Sequence, residues 1–360
     1  MRAALPIAAR LPLLLPFALL SACGRAVLDP AGDVARQQRN LIGVSTGLML
    51  LIIVPVLVLI VVFAWRYRAR NEATTYDPDF DHSTSLELVI WSAPLLIIIM
   101  LGALTWSSTH LLDPFRPIHR ITAARPVAGG VQPLVVQVVS LDWKWLFIYP
   151  EQGIATVNEL ALPLDRPVRF DITSANMMNT FYAPAMAGMV YAMPGMRSTL
   201  HAVLDRPGTY DGYSANYSGA GFSDMHFVLR AMPAADFDRW IAAARSGGRA
   251  LTTADYLRLE RPSEKVPPAR FAAVQAGLFD RVVQRCVAPG QPCMSEVMAH
   301  DRAANGGPTG RASLPQGPQR DGALFQNESE MAPAPNVTKP RQPGAPGAGA
   351  PASPRNRDMS

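Results

Sequence analysis

Two long uncharged apolar runs near the start of the chain restrict its fold more than any other feature. Residues 41–65 hold about 25 positions without a charge, and residues 88–106 hold about 19. A helix crossing a hydrocarbon layer of about 30 Å needs roughly 20 apolar residues, so each run is long enough to span with some tilt. Pro55 and Pro94 fall inside them. Membrane helices tolerate proline because neighbouring helices and local adjustments satisfy the freed backbone groups. The pair therefore predicts a transmembrane hairpin over 23–110, with helices at about 41–65 and 87–108. The first run ends in Arg66, Arg68 and Arg70, and arginines collect on the cytoplasmic side. That puts 66–86 in the cytoplasm and everything after Thr109 on the opposite side.

The first residues give the same orientation. Arg2 and Arg10 make a basic start, 11–20 is an apolar run too short to span, and Leu20-Ser21-Ala22-Cys23 closes it. This is the pattern of an export signal, here 1–22, ending at a bacterial lipoprotein cleavage site. Small residues fit the peptidase, and the Cys23 thiol takes a diacylglycerol. Cys23 is expected as the lipidated N-terminus, on the outer face of a bacterial inner (plasma) membrane.

The rest of the chain reads first as strands, then as short helices, then as tail. Leu134-Val-Val-Gln-Val-Val-Ser and Trp143-Lys-Trp-Leu-Phe-Ile-Tyr are rich in β-branched and aromatic residues, and Val168-Arg-Phe-Asp-Ile-Thr alternates cleanly. Proline and Pro-Gly turns separate them, which predicts a Greek-key sandwich over 120–232. Stretches 236–245 and 253–260 read as amphipathic helices within a helical arm, 233–285. Residues 286–360 read as a disordered tail, since 301–360 is rich in Pro, Gly and Ala and cannot bury enough apolar surface to order itself. Cys286 and Cys293 lie seven apart with Pro289-Gly290 between them, and a local disulfide suits an oxidising compartment. The net charge of +5 is scattered rather than striped, which gives nucleic-acid binding no support.

Function is carried by Ser214-Ala-Asn-Tyr-Ser218-Gly-Ala-Gly-Phe222-Ser-Asp-Met225. Together with Glu87-Leu-Val-Ile-Trp91-Ser-Ala-Pro94, Leu141-Asp-Trp143-Lys-Trp145, Met178-Asn179-Thr-Phe181, Tyr191-Ala-Met-Pro-Gly195-Met and Gly208-Thr-Tyr210, it supports a resemblance. Residues 134–228 resemble the periplasmic domain of subunit II of haem-copper oxidases. More closely, 20–280 resembles subunit II of cytochrome bo type ubiquinol oxidases. The resemblance implies a cupredoxin-like fold for the sandwich. It also implies that the loop descends from a binuclear copper site. In copper-bearing relatives thiolates stand where Ser214 and Ser218 stand, imidazoles at Asn179 and Phe222, and a glutamate at Asn216. An upstream acidic residue is replaced by Asn176, and the thioether Met225 is kept. Thiolate and imidazole stabilise copper; a neutral hydroxyl binds it poorly and a phenyl ring cannot. No metal, no cofactor and no catalytic residue is therefore expected in this chain.

The resemblance places the chain in a terminal ubiquinol oxidase that reduces dioxygen to water and moves protons outward. Haems and the remaining copper would be held by subunit I. The expected partners are that subunit, the smaller subunits III and IV, and membrane lipid, with no cytochrome c. Glu87, Trp91 and Pro94 would lie at the subunit I contact or at the cytoplasmic membrane boundary. Trp143 and Trp145 are expected in the sandwich core or at the contact with subunit I, and Lys144 is the wrong charge to attract a basic cytochrome c. His226 follows Met225 directly, and adjacent strand residues face opposite ways, so the two should not share a metal. The methionines at 177, 178, 186, 189, 193 and 196 read as packing residues. Two alternatives stay open: a cytochrome c oxidase subunit II that admits electrons, and a stand-alone periplasmic lipoprotein.

Overall fold

A computed structural model describes residues 27–68, 70–71 and 81–304. Cys23, the signal and residues 305–360 of the expected tail lie outside the described residues.

Helices α1 (Asp33–Arg66) and α2 (Thr84–Leu111) are both long and apolar enough to cross a membrane. Leu51, Val61, Trp91 and Ile98 on them are exposed, and apolar surface on this scale needs lipid or a partner as its surroundings. Both helices exceed the lengths read from the sequence. α1 starts eight residues before the apolar run, because its polar first turns find partners in the sandwich. The Arg36 guanidinium lies 2.9 Å from Asp205, and Asp33 accepts from Arg120 Nε at 2.8 Å. Hydropathy cannot see a helix held by such contacts.

A small hairpin, β1 (Arg120–Thr122) and β2 (Arg125–Pro126), leads into the sandwich. Its strands are β3 (Leu134–Leu141), β4 (Lys144–Tyr149), β5 (Ile154–Val157), β6 (Glu159–Pro163), β7 (Val168–Ser174), β8 (Asn179–Tyr182), β9 (Val190–Ala192), β10 (Ser198–Ala202), β11 (Gly208–Ser214) and β12 (His226–Met232). After them come α3 (Ala234–Ser246), β13 (Ala250–Leu251), α4 (Thr253–Glu260), β14 (Ala269–Phe271), β15 (Ala273–Val274), α5 (Leu278–Val283) and α6 (Met294–Ala304). One sheet has the order β10-β7-β3-β4-β5-β14, and the facing sheet β6-β12-β11-β8-β9. Pairs β3–β7 and β6–β12 are parallel, the other pairs in these two sheets antiparallel.

Between the sheets lies a core of Trp145, Phe147, Phe170, Phe181 and Phe227. A second core covers the outer face of β3 and β4, where Val139, Leu141, Leu146 and Ile148 meet Tyr256, Phe271, Phe279 and Val282. These two strands are thus buried on both faces. That is why they read as near-continuous apolar runs rather than as a clean alternation.

The arm after β12 is mixed rather than helical. Its β14 joins β5 as an outer strand, with Phe271 opposite Ala155, and its helices α4 and α5 supply the cover. Order continues past 285, where the tail was expected to begin. Cys286 and Cys293 are joined by a disulfide, and α6 follows it.

Candidate functional site

Asn179 opens β8, and β8 pairs with the end of β11 so that Phe181 lies opposite Ser214. This register brings Asn179 beside the loop that leaves β11. Ser214 Oγ donates to Asn179 Oδ1 at 3.1 Å, with the Asn216 carbonyl at 3.3 Å. Asn179 Nδ2 donates to the Met177 carbonyl at 3.2 Å, and Asn216 Nδ2 donates to the Met178 carbonyl at 3.1 Å. Asn176 Nδ2 donates to Asp142 Oδ2 at 3.0 Å. Asn179, Ser214 and Ser218 are all buried, and Met225 is fully so. Phe222 is half-buried, its ring edge-on to Tyr217 with centroids 5.6 Å apart.

The loop is held shut from one side by Trp143. This residue adopts φ 63° at the tight turn between β3 and β4, and its indole Nε1 donates to the Ser218 carbonyl at 3.0 Å. Gly219 and Gly221 let the ring lie flat on the loop. A Cβ at Gly221 would come within 2.5 Å of the indole. Gly221→Ala should therefore destabilise the sandwich by about 1–3 kcal/mol, the cost of overpacking a rigid contact. A lowered Tm with altered Trp143 fluorescence would show it, and an unchanged Tm would mean that the indole is free to move aside.

Of the six positions that the resemblance equates with copper ligands, Asn179, Ser214 and Asn216 are joined by hydrogen bonds and the Ser214 amide donates to the Met225 carbonyl at 3.2 Å, but the six residues do not supply the donors of a binuclear copper centre. Asn179 and Ser214 bond each other, Ser218 offers a hydroxyl, and Phe222 has no donor atom. Among the described residues no group of three or more His, Cys, Asp or Glu is placed to hold a metal. Met225 is buried and His226 exposed, so the two point apart. The disulfide lies in the arm, between α5 and α6.

The tryptophans divide their work. Trp145 sits wholly inside the core, 5.5 Å from the Phe181 ring, while Trp143 packs at the edge of the core and clamps the loop. Lys144, read from the sequence as a charge unsuited to a basic cytochrome c, is buried. Its ammonium donates to the Asp142 carbonyl at 2.8 Å, the Arg261 carbonyl at 2.9 Å and Ser263 Oγ at 2.8 Å. Burial pushes its pKa down to about 8, against the pull of Asp142. It ties the arm to the strand beneath and shows no charge to a passing partner.

Sequence reasoning also missed Glu159. This carboxylate, 6% exposed, accepts from Arg230 Nε at 2.9 Å and from Arg270 Nε and Nη2 at 2.9 Å. Burial opposes its ionisation, but the hydrogen bond and charge of Arg270, with the charge of Arg230, outweigh that and leave its pKa lowered. Glu159 lies on β6 and Arg270 on β14, the outer strands of the two sheets. The cluster therefore closes one side of the sandwich. A glutamate beside an asparagine in a turn carries no signal of this in one sequence.

Comparison with known proteins identifies the family. Residues 150–232 match the family described as cytochrome c oxidase subunit II, periplasmic domain, and 245–290 match the COX aromatic rich motif. The cytochrome bo(3) ubiquinol oxidase subunit 2 of Pseudomonas putida is 46% identical over 82% of this chain and 92% of its own length. The ubiquinol oxidase subunit 2 of Acetobacter aceti is 43% identical over 74% and 84%. Among solved structures, the periplasmic domain of cytochrome oxidase subunit II of Bradyrhizobium japonicum is 20% identical over 31% of this chain and 94% of that one, with a TM-score of 0.31. Relatives this similar over most of both chains decide the matter: the chain belongs to the subunit II family of cytochrome bo type ubiquinol oxidases.

Proposed function

We propose that this chain is the non-redox subunit II of a proton-translocating ubiquinol oxidase in a bacterial inner membrane. Its N-terminus is lipidated at Cys23, its helix hairpin spans the bilayer, and its sandwich and arm lie in the periplasm. Subunit I carries the haems, the copper and the chemistry, and subunits III and IV complete the complex. This chain supports the assembly and stability of subunit I and shields its periplasmic face. The single observation that carries the reading is the hydrogen bond between Ser214 Oγ and Asn179 Oδ1. Two groups at former copper-ligand positions are occupied with each other. An electron arriving from a soluble donor would have no centre in this chain to land on.

The test is oxygen consumption by the complex purified through a tag on this chain, with ubiquinol and reduced cytochrome c supplied separately. Turnover with ubiquinol and none with cytochrome c is expected. Turnover with cytochrome c would mean that electrons enter through this subunit, and the reading would fall. A tagged chain that brings down no haem would point to a free-standing lipoprotein.

A further inference from the structure

A groove of about 600 Å³ lies between the outer turns of α1 and the foot of the sandwich, a size typical of sites for small molecules. Val27 and Val34 line its upper end, and Leu41 and Ile42 its lower end. Leu111 of α2 and Leu200 of β10 form part of the opposite wall. Between Asp33 and Ile42 the helix rises by about 14 Å. The groove thus runs from where the chain enters α1 down to where the uncharged span begins. Ile42, at the lower mouth, is 46% exposed.

We propose that this groove seats an acyl chain carried by Cys23. The proposal rests on the reading of Cys23 as a lipidated residue. Cys23 is four residue steps from Val27 in the wall, and that length of chain reaches at most about 14 Å. The chain beyond Val27 is stitched to the sandwich. Arg206 Nη1 donates to Asp29 Oδ1 at 2.8 Å. The amides of Ala31 and Gly32 donate to the Ala185 carbonyl at 2.7 and 3.0 Å, and the Asp205 amide donates to the Ala31 carbonyl at 3.0 Å. Gly32 is threaded so closely that a Cβ there would meet the Met186 carbonyl oxygen at 2.5 Å. A loosely tethered anchor could enter the bilayer anywhere around the hairpin. This one is confined to the groove's upper mouth.

The wall chemistry suits a hydrocarbon chain with a polar head. Apolar side chains form more than half of the lining. The charged groups at the upper end are already matched, Asp33 with Arg120 at 2.8 Å, and the His201 ring bonds the Pro114 carbonyl at 3.2 Å. Asp113 and Arg116 also line the wall, and the glycerol ester would lie level with these polar groups while the acyl chain follows the apolar side chains.

A photoreactive fatty acid tests this on the complex as the cell makes it. Cells fed a diazirine-bearing palmitate would incorporate it into Cys23, and the complex would be purified, irradiated and analysed by mass spectrometry. The expected result is the acylated N-terminal peptide joined to peptides covering 111–120 or 182–201. Their yield should exceed joining to the middle of α1 several-fold. Three results would overturn the proposal: adducts in the groove that carry a free phospholipid, adducts there that carry another subunit, or N-terminal cross-links spread over the exposed faces of the hairpin. An N-terminal peptide with an unmodified Cys23 would instead remove the lipidation reading itself, and its mass separates that outcome from the others.

Discussion

Phe181→Ala is expected to destabilise the sandwich by about 3–5 kcal/mol, the range for truncating a buried phenylalanine to alanine. The ring is fully buried. It stacks on Phe227 at 5.3 Å and lies 5.5 Å from Trp145, 5.4 Å from Phe170 and 6.3 Å from Phe147. Four aromatic neighbours cannot collapse together into the space of one ring, so the cavity persists. Phe181 also sits opposite Ser214, and its loss should loosen the loop above it. Thermal inactivation of the purified complex would measure the loss, with hydrogen exchange at 179–182 and 213–218 as the local readout. A Tm within a degree or two of the unsubstituted protein would contradict the packing described here.

The second large effect is expected at the ion cluster. Arg270→Met keeps much of the side chain's apolar stem but leaves the Glu159 carboxylate with Arg230 as its remaining partner. Breaking one arm of a buried ion pair costs about 3 kcal/mol, the low end of the usual range because Arg230 stays. Arg270 also lies over the Trp240 ring at 5.1 Å, a contact that methionine only partly replaces. The effect depends on pH in a definite direction. Glu159 has a folded pKa lowered from 4.5, so its contribution is present above that value and is lost as pH falls through the folded one. The gap in stability between the variant and the unsubstituted protein should be widest at neutral pH and narrow under acid, where Glu159 is protonated in both. Faster exchange of the β14 amides would locate the damage. A gap that stays constant from pH 7 to pH 3 would show that the charge of Glu159 contributes nothing.

What the sequence reveals and what it hides follow from how local each cause is. The membrane helices are legible because lipid exposure leaves a long uncharged run, and Trp145 and Phe181 read as strand residues in their own segments. The loop from Ser214 to Met225 is legible through its spacing, a pattern contained in twelve residues. Lys144 misleads, because whether a lysine between two tryptophans faces water depends on the arm that arrives more than a hundred residues later. Asp33 and Arg36 look like solvent-facing charges before a membrane span, and only Arg120 and Asp205 make them the start of α1. Glu159 and Arg270 are more than a hundred residues apart, and their pairing exists only once both sheets are built. β14 is three residues long, too short to show any periodicity.

The outer place of β14 also sets a clock on the making of this chain. β5 has β4 on one side and β14 on the other, so until Ala269 has been made its second edge is a row of unpaired amides and carbonyls. Roughly a hundred residues lie between the two strands, and at about 5–20 residues per second the ribosome needs some five to twenty seconds to supply them. An open edge held for that long invites pairing with a neighbouring chain. The nascent sandwich keeps this edge open until the arm is made, and the arm that completes it also closes the edge to pairing with a neighbouring chain.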